Sequence, residues 1–421
     1  MAVHNNHKDI LFVIRTGGGV LVAYFLVYAL RKAFTASTFD GLSLWGLDYK
    51  VVISMCQITG YLLSKYCGIK IVSELKRAHR LPAIILSAAG AELSLVLFGL
   101  IPYPVNCFCL FFNGLSLGCM WGFLFSYIEG RRLTDILAGF LGVSIVISSG
   151  AAKSFGLYVL SFHVSPFWMP AIIGGIAVPL LAGIAFLLDK LPDPADGEKN
   201  EKSERIPLHK TQRRQLLKKY ALFLIPLLLV NTLYTVLRDI KEDFLVDIIK
   251  YTDIRLSPFL FVRVDAVVTI LLLVMLGSMI KVRDNRHALV VLLVMMLSGS
   301  VAVFLSSLFF GSLSATPVLW LFLQSMGIYA AYLAFQTVFF DRFIACFKIK
   351  GNVGFFIYIS DFLGYLASCL FLFGKSLLDI RVNWLEYYNI LALTVSVICI
   401  LSAGIVFSML QQKRQIRFAV K

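Results

Sequence analysis

LVAYFLVYALRK, residues 21–32, and LLLVNTLYTVLRD, residues 227–239, belong to the first long apolar run of each half, and an arginine lies deep inside each run. A charge inside hydrocarbon costs about 2.5–3.5 kcal/mol on insertion scales, so Arg31 and Arg238 call for a partner, a water-filled cavity or a task. Their matching places in the two halves of the chain point to an internal repeat around a central anion site.

The rest of the chain follows the same pattern. Of its 421 residues, 59% are hydrophobic and only 15% charged, too little polar surface for a soluble protein of this size. Runs of about 20 apolar residues match a hydrocarbon layer roughly 30 Å thick, whereas a membrane β-barrel would show shorter alternating segments. Twelve such runs are predicted as helical spans: 16–39, 48–66, 81–102, 105–128, 134–160 and 168–188, then 220–244, 257–280, 288–310, 317–340, 351–374 and 387–410. The expected fold class is therefore an all-α polytopic membrane protein of twelve transmembrane helices in two six-helix bundles. Its domains are an N-terminal bundle (1–188), a cytoplasmic linker (189–219), a C-terminal bundle (220–410) and a basic tail (411–421). The linker is rich in Pro, Glu and Lys, cannot bury a core, and could form a short basic amphipathic helix at 209–219.

The net charge of +15 comes from 39 Lys and Arg against 24 Asp and Glu. These bases gather in alternate loops, as the positive-inside rule requires, and no nucleic-acid motif accompanies them. One side carries Lys76, Arg77, Arg80, Arg131, Arg132, Lys281, Arg283, Arg286, Lys348 and Lys350; loops 103–104, 161–167 and 311–316 on the other carry none. Both termini are expected in the cytoplasm. The 241–256 connection mixes Lys241 and Lys250 with Glu242, Asp243, Asp247 and Asp253. The first span has no cleavage site after it and reads as an uncleaved anchor. The eight cysteines fall within or beside apolar spans at no metal-ligand spacing and read as packing residues. No metal, cofactor or catalytic motif is found. The expected partners are the bilayer and a small anionic solute, and a monomer is expected.

Six spans, a long linker and six more spans form the layout of the major facilitator superfamily, in which the halves are parallel repeats. YFLVYALRKAF (24–34) resembles the first-helix signature of the organophosphate:phosphate antiporter family, which also places an arginine in its seventh helix within a stretch similar to LYTVLRD. That resemblance implies that Arg31 and Arg238 jointly grip a phosphate or another oxyanion, and a planar guanidinium suits such a group. GYLLSKYCGIKIVSEL (60–75) and YALRKAF resemble a bacterial branch of the superfamily that brings no substrate with it; that resemblance implies a bacterial inner membrane. Loop 66–80 takes the place of the superfamily's glycine–acid–base loop, with Gly68, Glu74, Lys76 and Arg77 as degenerate counterparts; 281–287, with Asp284 between bases, is its repeat.

Other residues complete a candidate site. Lys153 lies among small residues in span five, either as a third cation of the cavity or paired with Glu92, Asp265 or Asp361. Lys32 points about 100° from Arg31, to an edge or a helix contact. Arg31 and Arg238 could instead each pair with a nearby acid or snorkel outward. Tyr24, Tyr28, Asn113, Gln324, Tyr329, Tyr332 and Gln336 are polar lining or interhelical ties. Glu92, Arg263, Asp265, Asp361 and Glu74 are coupling or gating candidates, Asp361 first. Gly114, Gly118 and Gly122 make a small-residue stripe for close helix packing. Three functions fit: a secondary transporter for a small organic anion, driven by exchange or protons; a sensor that keeps the cavity without transport; and a flippase for an anionic lipid or cell-wall fragment.

Overall fold

The computed structural model describes residues 6–73, 75–129, 133–192, 210–252, 257–279, 282, 284–313, 316–347, 353–377 and 383–411. Glu74, most of the linker and nearly all of the basic tail lie outside the described residues.

The described helices follow the predicted spans closely. In the first half they are α1 (Asn6–Lys32), α2 (Tyr49–Ser73), α3 (Arg80–Leu100), α4 (Cys107–Leu117) with α5 (Met120–Ile128), α6 (Thr134–Leu160) and α7 (Met169–Asp189). In the second they are α8 (Lys210–Ile249), α9 (Leu260–Ser278), α10 (Asn285–Leu308), a single turn α11 (Phe310–Leu313), α12 (Pro317–Ala334), α13 (Phe340–Phe347), α14 (Val353–Leu377) and α15 (Trp384–Gln411). A π-turn, Phe335–Phe339, joins α12 to α13. Counting α4 with α5, and α12 with α13, as single rods, and setting aside the single turn α11, twelve rods stand among the described residues. Ten carry stretches long and apolar enough to cross a bilayer, and α14 contributes the shorter Ile359–Gly374. Leu86, Ile176, Ile270, Val274 and Leu401 are among many large apolar side chains left exposed. A soluble surface would not tolerate so much apolar area, and lipid is its natural solvent.

Several boundaries differ from expectation, and α2 runs to Ser73, seven residues past the expected end of span two and into the expected 66–80 loop. Helix α1 starts ten residues earlier than span one, in the polar stretch NHKDI, and ends at Lys32 where span one was expected to reach 39, so Arg31 and Lys32 stand in its last turn, not midway along it. A 3-10 turn over Ala33–Ala36 follows, then a small hairpin pairing Ser43–Leu44 with Leu47–Asp48. Trp45 and Gly46 between the strands both have positive φ, the twist that tight two-residue hairpin turns need. At the start of the second half, the basic segment near 209–219 is no separate helix. It runs into span seven as the forty-residue α8, which continues to Ile249 and absorbs much of the expected 241–256 connection.

Contacts divide the chain into two compact units: Met1–Lys202 with Arg255–Leu273 and Leu372–Asp379, and Ser203–Ile254 with Val274–Phe371 and Ile380–Lys421. In the first, α1 packs on α6 and α7, α2 on α4, and α3 on α4 and α7. In the second, α8 packs on α15, and α10 on α12 and α15. The pairings of spans one with six, three with four and three with six thus recur as seven with twelve, nine with ten and nine with twelve.

The glycine stripe works as its spacing suggests. A Cβ at Gly114 would run into the backbone of Gln57 and Tyr61, one at Gly118 into Ser64, and one at Gly122 into Val72, so the stripe seats α2 against α4 and α5.

Candidate functional site

The end of α1 shapes the site in the first unit. A helix leaves its last carbonyls without intrahelical partners, and inside a membrane each must be satisfied. Asn113 Nδ2 donates to the Leu30 carbonyl (3.2 Å) and Gln57 Nε2 to that of Arg31 (2.6 Å), while Thr35 Oγ1 donates to that of Lys32 (2.7 Å). Gln57 Nε2 also donates to Asn113 Oδ1 (2.9 Å), and Asn113 Nδ2 to the Ala91 carbonyl (3.3 Å). Asn113 is therefore an interhelical tie.

These ties hold the Arg31 side chain against aromatic rings. Its guanidinium carbon lies 3.9 Å from the centre of the Tyr61 ring and 5.6 Å from that of Tyr28. Tyr28 packs on Tyr24 (5.6 Å), and Tyr24 edge-on against Trp121 of α5 (5.1 Å). Lys65 Nζ lies 5.6 Å from the other contact of the group, the Tyr61 ring. Gln57, Tyr61 and Lys65 are spaced at i, i+4 and i+8, so α2 presents them along one face. Arg31 is 2% exposed, and Gln57 Oε1 is buried with no hydrogen-bond partner among the described residues.

The first unit is also rich in buried cations. Arg31, Lys32, Lys50, Lys65 and Lys153 are buried there; Asp265 is the one fully buried acid among its described residues. Lys153 Nζ donates to Ser149 Oγ (2.9 Å) and its carbonyl (3.2 Å). Asp265 lies against Gly150, within one helical turn of Lys153, because Gly150 has no side chain to hold α9 away. The structure thus brings Asp265, of the three acids weighed for Lys153, to its neighbourhood. Glu92 is half-buried elsewhere, its carboxylate seated on Gly174 of α7, with Oε2 lacking a hydrogen-bond partner among the described residues. Arg263 is exposed, two residues and therefore about 200° round the helix from Asp265.

In the second unit Arg238 meets acids from its own helix. Its Nη2 donates to Asp239 Oδ1 at 2.6 Å and its Nε to the same oxygen at 3.2 Å, with Glu242 Oε1 3.8 Å from Nε. The guanidinium lies over Tyr332 (4.3 Å) and near Tyr365 (5.9 Å). Ser368 Oγ donates to Asp239 Oδ2 (2.8 Å) and Tyr329 OH to Glu242 Oε1 (2.8 Å). Lys241 Nζ donates to Ser325 Oγ (2.5 Å). All these groups are buried, as are Asp243 and Asp247. The acids of RDIKED, residues 238–243, are therefore interior groups and not loop charges. Of the two readings of Arg238, pairing with a nearby acid is the one this geometry displays.

The remaining candidates fall in two networks of the same unit. Gln324 donates to Ser306 Oγ (3.0 Å) and Ser307 Oγ (2.8 Å), and accepts from Tyr388 OH (2.9 Å), which makes it a helix tie. Gln336, in the π-turn, donates to Asp361 Oδ1 (3.0 Å) and Asn231 Oδ1 (3.3 Å), and Asn231 Nδ2 donates to the Ser360 carbonyl (3.3 Å). Sequence reasoning missed Gln57, Tyr61, Lys65 and Trp121, although the spacing of the first three was a usable signal. It also missed Asp239 as the partner of Arg238, which the adjacent position already offered.

Comparison with known proteins places this architecture. No curated protein matches the sequence. A family described as of unknown function, DUF5690, matches residues 33–413. The chain belongs to that family. Its structure is similar to that of a D-xylose–proton symporter (14% identity, 95% of this chain and 97% of that one, TM-score 0.56). It is similar to the human organic anion transporter MFSD10, also called TETRAN (16% identity, 96% and 100%, TM-score 0.55), and to a POT family transporter in complex with a thioalcohol-conjugated peptide (14% identity, 94% and 97%, TM-score 0.60). These likenesses span almost the whole of each chain. The protein is a multi-pass membrane protein with the major facilitator fold.

Proposed function

We propose that this protein is a secondary active transporter that moves a small organic anion by alternating access, and that Arg31 is the group that grips the anion. The observation that carries the reading is the Arg31 guanidinium, buried at the end of α1 and lying 3.9 Å from the centre of the Tyr61 ring. An aromatic face fixes the plane of a guanidinium, and a guanidinium meets a carboxylate or phosphate in fork-to-fork fashion. Arg31 is thereby ordered in advance, which lowers the cost of binding. Lys32, Lys50, Lys65 and Lys153 add to a positive interior in the same unit, which favours an anion over a neutral solute. Tyr24, Tyr28 and Trp121 supply aromatic surface for the non-ionic part of the solute. Arg238, engaged by Asp239, serves as a fixed post in the second unit. The neighbours of similar fold are named as transporters, and one as an organic anion transporter, which favours carriage over sensing. An organophosphate is the class to test first, on the resemblance of residues 24–34. The loop charges favour both termini in the cytoplasm, and the resemblance of residues 60–75 to a bacterial branch favours a bacterial inner membrane.

A thermal-shift screen of the purified full-length protein in nanodiscs tests this reading. A ligand at a hundred times its Kd stabilises by about 2.7 kcal/mol, a readily measured rise in Tm. Phosphorylated sugars, inorganic phosphate or carboxylates should raise Tm where the parent sugars do not, and Arg31→Gln should abolish the rise. Stabilisation by neutral sugars equal to that by anions, or an undiminished effect in Arg31→Gln, would refute it.

A further inference from the structure

Asn231, Gln336, Ser360 and Asp361 meet in the second unit where α8, the π-turn and α14 come together. Their approach is set by Gly364, whose missing side chain lets α14 seat directly on Thr235, one turn beyond Asn231. Asn231 and Ser360 are essentially inaccessible, and Gln336 and Asp361 are less than a tenth exposed. The group is therefore a built, desolvated site.

Its geometry centres on one atom. Gln336 Nε2 stands between Asp361 Oδ1 (3.0 Å) and Asn231 Oδ1 (3.3 Å), donating to both. A positively polarised N–H group thus occupies the point on which two side-chain oxygens converge. The Ser360 carbonyl accepts from Asn231 Nδ2 (3.3 Å), the other arm of the same amide. Ser360 also brings a buried hydroxyl, Oγ, that has no hydrogen-bond partner among the described residues. A buried polar atom without a partner carries a desolvation penalty and asks for an occupant. The backbone is unusual at the same place. Gln336 is the second residue of Phe335–Phe339, and π-turns are rare and concentrate at functional sites. In membrane transporters, irregular helix backbone often lies where a small cation is held.

We propose that these four residues form a binding site for a monovalent metal cation, with sodium as the first ion to test. The ligand set is all oxygen, as hard cations require: one carboxylate, one amide carbonyl, one hydroxyl and one backbone carbonyl. A set with one carboxylate among neutral oxygens favours a monovalent over a divalent ion. Gln336 acts as the switch. With its NH2 group inward it fills the ion's place; turned over about its terminal bond, it presents Oε1 as a further ligand. Cation binding and the Gln336 orientation are then coupled, and through the π-turn the ion acts on the helix that links α12 to α13. Any coupling of the ion to anion movement rests on the transporter reading, whereas ion binding does not.

The test is the Tm of the purified full-length protein in nanodiscs, titrated with NaCl and with KCl at constant ionic strength set by choline chloride. A saturable rise with a metal cation, beyond that in choline, is expected. Asp361→Asn should lose it. Ser360→Ala removes a hydroxyl with no described partner, so it should fold as the wild type does and show a midpoint shifted about tenfold or more to higher salt. Identical behaviour in all three salts, or an unchanged midpoint in both variants, would overturn the proposal. Because no anion enters this measurement, it can fail while the anion reading stands, and the reverse.

Discussion

Arg77 and Arg286 make the same contact in the two units. Arg77 Nη2 donates to the Leu191 carbonyl at 2.8 Å, just past the end of span six, and Arg286 Nη2 donates to the Leu410 carbonyl at 2.8 Å, at the end of span twelve. Arg77 comes from the turn before the third span of the first half, and Arg286 from the first turn of α10, the third span of the second half. Each caps the carbonyls that the sixth span leaves unsatisfied at its C-terminus, where a cation is also favoured by the helix dipole. The chain thus repeats at the level of single hydrogen bonds, although its two halves align poorly in sequence.

Replacing either arginine with alanine should loosen only the helix end it caps. Arg77→Ala should speed amide exchange at 188–191 and leave 407–410 unchanged, and Arg286→Ala should do the opposite. Each contact lies at or near the surface, so the expected loss is about 1 kcal/mol. Hydrogen exchange followed by mass spectrometry reads both ends in one experiment.

The small-residue stripe gives a sharper stability prediction. Gly114→Ala puts a methyl group into the backbone of Gln57, which a well-packed interface meets with a loss of about 1–3 kcal/mol. Gly277→Ala meets nothing within 4 Å and should leave Tm unchanged. Thermal unfolding of the two variants beside the wild type checks the contrast.

Arg238 and Asp239 should behave as a pair. Asp239→Ala leaves a buried guanidinium short of its main counter-ion, a change that typically costs about 3–5 kcal/mol. Arg238→Met combined with Asp239→Ala removes both charges and should recover much of that loss. Equal Tm deficits in the single and double variants would show that the 2.6 Å ion pair is not what stabilises this region.

Much of this was legible in the sequence because membrane-spanning helices announce themselves through length and apolarity. Span five was placed at 134–160 and α6 is Thr134–Leu160. The Gly114–Gly118–Gly122 stripe was legible because close packing needs small residues at one helical spacing. The start of α1 was not legible, since NHKDI is polar and helix can continue beyond the bilayer into water. Nor was its end at Lys32, which puts Arg31 in a last turn, where its neighbours are set by the capping needs of the Leu30 and Arg31 carbonyls. The Tyr61 face of α2 stayed hidden because an aromatic residue in a span usually signals packing. Glu242 and Asp243 stayed hidden because acids beside lysines read as a solvated loop, and only tertiary contacts reveal that α8 carries them inside. The π-turn at Gln336 has no sequence signature in FQTVF.

The central claim is that Arg31 holds an organic anion through a bidentate fork, and substrate uptake into proteoliposomes by wild type and Arg31→Lys measures it most directly. Lysine keeps the charge but loses the fork, and a charge-assisted hydrogen bond is worth about 1.5–3 kcal/mol, so uptake at sub-saturating anion should fall about tenfold or more. Uptake by Arg31→Lys equal to wild type, in vesicles holding the same amount of folded protein, would contradict the account.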